Sequence, residues 1–129
     1  MRLSLDTHTF LWLLSEPARL APEAREAIVD AANEVFVSVV VAWEMVIKLA
    51  LGRLRLTPAS AAWLPAELKR RGLEPLAVEL PHVLLLERLP PHHRDPFDRL
   101  LIAQAQVEGL ILVTHDRAFA AYDAPVLWT

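Results

Sequence analysis

Short apolar runs alternate with helix-forming segments along the whole chain, and this alternation restricts the fold more than any other feature. Arg2-Leu3-Ser4-Leu5-Asp6 alternates and stops at a carboxylate, as a strand entering a turn does. A helix is expected over Thr7–Leu14, ended by Pro17, and a second from Glu23 to about Ala32 with Pro22 in its first turn. Val35-Phe36-Val37 reads as a buried strand. Ser38 is placed to cap a long helix over Val39–Leu51, closed by Gly52. A further helix is expected over Pro58–Arg71, stopped by Gly72, then a weak strand over Leu73–Val78 and a short helix over Pro81–Arg88.

After the loop Pro90-Pro91-His92-His93-Arg94, Asp95 and Pro96 have the form of an N-cap and first helical residue, opening a helix to Glu108 that Gly109 ends. Leu110–Val113 is the clearest strand, Asp116–Tyr122 a short helix, and Val126–Trp128 a last strand. Strands alternating with helices predict an α/β sandwich with a mostly parallel sheet. No repeat or linker interrupts the pattern, so one domain is expected over residues 1–129.

With 129 residues, the chain is long enough to bury a core without staples. There are no cysteines, which excludes disulfides, thiolate metal sites and cysteine nucleophiles. Thirteen Lys+Arg against sixteen Asp+Glu exclude nucleic-acid binding by bulk positive charge. The chain is 54% apolar and 22% charged, greasier than ordinary domains at roughly 45–50% and 25%. A membrane span is not the explanation, because the densest apolar stretch, Val35–Leu51, is interrupted by Ser38, Glu44 and Lys48. Nothing at the N-terminus has the form of a signal peptide, so a cytoplasmic protein is expected. The apolar surplus is then a buried sheet together with a surface for another protein or a second copy.

Four carboxylates stand out, two of them where a parallel sheet places its ligands. Asp6 ends the first strand and Asp116 follows the strongest one, and such folds bind outside the carboxyl ends of their strands. Both also suit helix caps, so each has two readings. Glu44 is one of two charges in an apolar helix; it either pairs with Lys48 four residues on or faces inward toward a cation. Asp98 sits one turn above Asp95, so capping falls to Asp95 and chemistry to Asp98. Carboxylates that converge repel unless a cation lies between them. With oxygen donors only, that cation is hard, Mg²⁺ or Mn²⁺, and such clusters serve phosphoryl chemistry.

Taken together, Leu5-Asp6-Thr7, Val41-Ala42-Trp43-Glu44, the run from Arg94 to Ala105 and the run from Leu112 to Phe119 resemble the PIN-domain ribonucleases, most of all the VapC-type toxins of bacterial toxin–antitoxin pairs. The resemblance implies a three-layer α/β/α sandwich with a central, mostly parallel sheet of four to five strands. It implies a Mg²⁺- or Mn²⁺-dependent endoribonuclease site of Asp6, Glu44, Asp98 and Asp116, with Asp6 and Asp98 holding metal most directly. Thr114 matches a hydroxyl residue that supports the acids, while Asp95 belongs to a subgroup pattern. The implied reaction is in-line attack of activated water on an RNA phosphodiester, leaving a 5′-phosphate and a 3′-hydroxyl. The implied partners are RNA, a VapB-like antitoxin and a second copy in a homodimer.

Two other readings compete. One is a non-catalytic RNA- or protein-binding module on the same fold. The other is a phosphatase with Asp6 as nucleophile, against which stands His8 where a second aspartate is wanted. Of the remaining polar residues, His92 and His93 read as a solvated loop. His8 and His115 lie beside site candidates and can contact substrate. Arg94, Arg99 and Arg117 flank the acidic motifs, where they either meet an RNA backbone or pair with the acids. Trp12, Trp43 and Trp63 lie on helices and are expected in the core, or else at a protein contact, where aromatics are enriched.

Overall fold

A computed structural model describes residues 1–129. Five strands form one sheet: β1 (Arg2–Leu5), β2 (Glu34–Ser38), β3 (Glu74–Leu76), β4 (Ile111–Thr114) and β5 (Val126–Trp128). Their order is β3-β2-β1-β4-β5 and every pairing is parallel. Leu3 pairs with Val35 on one side and Ile111 on the other, so β1 is the central strand. Successive strand residues point to opposite faces, yet Leu3, Ser4 and Leu5 are all fully buried. Both faces are therefore covered by helices, as a parallel sheet requires.

Six helices connect the strands: α1 (Thr7–Ser15), α2 (Pro22–Val29), α3 (Val39–Ala50), α4 (Leu64–Arg71), α5 (Leu80–Leu85) and α6 (Pro96–Glu108). Each start has a local cause. Asp6 caps α1 by accepting the Thr9 N–H at 2.9 Å. Ser38 caps α3 by accepting the Val40 N–H, and its own hydroxyl donates to the buried Gln104 of α6 at 2.6 Å. Asp95 caps α6 through the N–H groups of Phe97 and Asp98, with Pro96 in the first turn. Gly72 and Gly109 close α4 and α6 in the left-handed conformation, at φ 68° each, which glycine adopts without steric cost.

Several boundaries differ from the sequence expectation. The helix expected from Pro58 begins only at Leu64, because Pro65 can occupy a first turn but not a helix interior. The helix expected to Ala32 stops at Val29, where the Asp30 carboxylate accepts the Ala32 N–H and turns the chain. Residues expected as a short helix after Asp116 form a 3₁₀ segment, Arg117–Ala121. Among the tryptophans, Trp12 and Trp63 pack against the core as expected, but Trp43 is 55% exposed, with its ring T-shaped to that of Phe97. No helix is long and apolar enough to cross a membrane.

Candidate active site

The strand order reverses at β1, whose neighbours β2 and β4 lead away in opposite directions, and this is where a parallel sheet opens a crevice at its carboxyl end. A cavity of about 440 Å³ lies there. Eleven residues line it and none is apolar: five carboxylates (Asp6, Glu44, Asp95, Asp98, Asp116), three imidazoles (His8, His93, His115), Lys48, Arg117 and Thr7. All four acids singled out in the sequence are thus brought together from β1, α3, α6 and the end of β4. Five carboxylates face two permanent cations.

Asp6 is buried, and both its oxygens are oriented. Oδ1 accepts the Thr9 N–H, and Oδ2 accepts the Thr114 hydroxyl at 2.5 Å. Thr114 Oγ1 in turn accepts the Asp116 N–H at 3.0 Å, so one side chain on β4 ties two acids together. Glu44 is buried although it sits on a helix with an exposed face. Its Oε1 accepts the Thr7 hydroxyl at 2.6 Å and its Oε2 pairs with Lys48 Nζ at 2.6 Å. The pairing with Lys48 read from the sequence is present, and the same side chain lines the cavity.

Asp98 carries the cost of this crowding. Burial, then the neighbouring Asp95 carboxylate, and then Asp6 and Glu44 push its carboxyl up to about 7, against a smaller opposing pull from His93. Asp116 differs. Burial pushes it upward, but the Ala118 N–H, His93 and His115 outweigh that and hold it below the usual carboxylate range.

His93 departs from the sequence expectation of a solvated loop. Its side chain is 14% exposed, and its Nε2 lies 3.1 Å from Asp98 Oδ2 and 3.0 Å from Asp116 Oδ2. Its Nδ1 accepts the Asp95 N–H at 3.1 Å, which fixes the proton on Nε2. The three groups lie within 4.8 Å of one another, yet in this tautomer His93 offers a hydrogen rather than a lone pair. It bridges two carboxylates as a donor and leaves metal ligation to the oxygens.

What buries His93 is the path of its loop. Its N–H donates to the Tyr122 hydroxyl at 2.7 Å, and that hydroxyl donates to the Pro90 carbonyl. Arg99 pairs with no acid. Its guanidinium donates to the carbonyls of Leu89 and Pro90 at 3.1 and 2.9 Å and pins the same loop. Of the other flanking arginines, Arg94 is exposed, and Arg117 lines the cavity with its guanidinium over the Trp128 ring. Asp95 has both a capping role and a place on the cavity wall.

A doubly covered parallel sheet with acids gathered at its switch point defines a class of α/β protein with a polar, carboxylate-lined crevice at the ends of its strands. Residues 3–125 match the PIN domain model, and the chain belongs to the PIN domain family. It is 32% identical over 124 residues to Ribonuclease VapC22 of Mycobacterium tuberculosis, covering 94% of this chain and 92% of that protein. The fold superposes on VapBC2 from Rickettsia felis bound to a promoter DNA fragment, with a TM-score of 0.75 at 16% identity over 99% of this chain and 98% of that one. VapBC-5 of Mycobacterium tuberculosis, a member of the VapBC family of toxin–antitoxin systems, gives a TM-score of 0.61 at 25% identity, over 98% and 96% of the two chains.

Proposed function

We propose that this chain is a divalent-metal-dependent endoribonuclease and the toxin of a toxin–antitoxin pair, acting in the cytoplasm. The observation that carries the reading is the gathering of Asp6, Glu44, Asp98 and Asp116 around one polar cavity in a PIN fold. The donor set fits Mg²⁺ or Mn²⁺, since it is made of carboxylate oxygens with no sulfur, and its one bridging imidazole already spends its hydrogen on the acids. Asp6 and Asp98 would hold the ion most directly, and Glu44 and Asp116 would complete the set directly or through water. When bound, the ion supplies Lewis-acid activation of water and neutralises charge on the phosphodiester in flight.

The remaining steps belong to the chain. Thr114 fixes the rotamer of Asp6, and His93 holds the Asp98 and Asp116 oxygens at a common distance. Lys48 pairs with Glu44 and helps hold it on the cavity wall. Arg117 places a permanent positive charge on the cavity wall, where an RNA phosphate needs one.

A VapB-like antitoxin is the partner this reading assigns, with a second copy of the chain as a homodimer. In support, Val39, Trp43, Val46 and Ala50 follow one another at helical spacing along α3, and all four are exposed. The decisive experiment is RNA cleavage in Mn²⁺. Cutting that stops with chelator and in Asp6→Asn is expected. Cutting that survives both would overturn the metal site, and metal binding without cutting would favour a binding module.

A further inference from the structure

Beside the acids, three rings meet at the rim of the cavity. The His115 and Trp12 rings lie 4.6 Å apart, the His8 and His115 rings 5.3 Å, and the His8 and Trp12 rings 6.1 Å. Trp12 is partly buried and packs against the hydrophobic core, so it is an anchored member. His8 and His115 line the cavity and are exposed. Both tryptophans near this wall carry a guanidinium: Arg19 lies 4.7 Å over Trp12 and Arg117 lies 4.3 Å over Trp128.

His8 and His115 do nothing for the fold that their contacts reveal. Neither bridges acids as His93 does; His115 leans on Trp12 at 39° and meets His8 edge to face at 86°, and both imidazoles stay exposed. What they present is an aromatic surface beside Arg117, with His8 two residues from Asp6 and His115 one from Asp116. Unpaired nucleobases stack on such surfaces of aromatic, histidine and arginine planes, whereas the paired bases of a duplex cannot reach them.

Resting on the ribonuclease reading of the site, we infer that His8 and His115, backed by Trp12, form a stacking subsite for an unpaired RNA base next to the scissile phosphate. Arg117, which lines the cavity, neutralises the backbone beside it, while Arg19 is held by Glu16 at 3.1 Å. The subsite makes the protein select single-stranded RNA and gives one position next to the cut a contact that discriminates by ring area.

The test uses the full chain and a single-stranded RNA oligonucleotide that the wild type cleaves at a mapped phosphate. Counterparts of that oligonucleotide lack one base on the 5′ or the 3′ side of that phosphate. Removing the stacked base is expected to lower wild-type kcat/KM by about tenfold or more. His115→Ala should lose about the same factor on intact RNA and then be indifferent to the missing base. His115→Phe, which keeps the ring and removes the nitrogens, should restore the discrimination, which a role in charge or proton transfer would not allow. Equal losses for His115→Ala on intact and abasic RNA, or no loss at all, would overturn the subsite while leaving the nuclease standing.

Should the wild type cut no RNA, the nuclease reading fails, and the subsite is then judged by binding alone. Fluorescein-labelled oligoadenylate in Mg²⁺ should bind the wild type more tightly than His115→Ala and more tightly than a duplex of equal length. Equal binding to all three would overturn it.

Discussion

Replacing Asp98 by Asn removes the least favourable ionisation in the molecule. Burial and the carboxylates of Asp95, Asp6 and Glu44 raise its carboxyl from 3.8 to about 7, a displacement worth about 4 kcal/mol between the two forms. Water in the open cavity screens part of this, leaving about 1–2 kcal/mol as a working magnitude. The sign follows from linkage. An acid whose pKa is raised on folding destabilises the fold, by nothing below its unfolded value and by the full amount above its folded value. Without metal, Asp98→Asn should therefore be more stable than the wild type at pH 8, and the advantage should shrink steadily between pH 7 and pH 4.

Thermal unfolding in chelator, followed by circular dichroism at pH 4, 5.5, 7 and 8, reads this directly. The expected gain at pH 8 is a few degrees. Saturating Mn²⁺ should reverse the ranking, since an ion held at a hundred times its Kd adds about 2.7 kcal/mol to the wild type and much less to the variant. An Asp98→Asn protein that is less stable than the wild type at pH 8 in chelator, with no trend in pH, would refute the electrostatic reasoning.

Thr114→Val keeps the shape of the β4 side chain but takes a hydroxyl from Asp6 and an acceptor from the Asp116 N–H. It should cost about 1–3 kcal/mol in thermal unfolding and lower kcat/KM on RNA by about 10–100-fold. Val46→Asp on the exposed stripe of α3 should change stability by no more than about 0.5 kcal/mol yet prevent co-purification with the proposed antitoxin partner. Retained co-purification would place the partner elsewhere.

The sheet and the acids were legible in the sequence because each is a local pattern. Asp6 directly follows one apolar strand and Asp116 comes two residues after another, Asp95-Pro96 has the form of a helix start, and Glu44 is one of two charges in an apolar helix. His93 was not legible. Two adjacent histidines after two prolines look like solvent-facing loop, and what turns one of them inward is Tyr122, nearly thirty residues on, together with the hold of Arg99 on the loop carbonyls. For Arg99 the sequence offers an RNA backbone or ion pairing with the acids, while the fold puts the carbonyls of Leu89 and Pro90 within its reach and no acid. Trp43 was expected in the core from its helical setting. Only the completed packing shows that its neighbours Glu44 and Met45 take the inward face of α3 and leave it outside. Long-range hydrogen bonds and the choice of which helix face is covered are properties of the assembled chain, and periodicity carries neither.

The central claim is that Asp6, Glu44, Asp98 and Asp116 together hold a divalent cation. Calorimetric titration of Mn²⁺ into the wild type and into Asp6→Asn at pH 7.5, with circular dichroism to verify the fold, tests it most directly. Saturable binding by the wild type, weakened at least tenfold in Asp6→Asn, is the expected result. Equal binding by the two proteins, or none by the wild type, would contradict it.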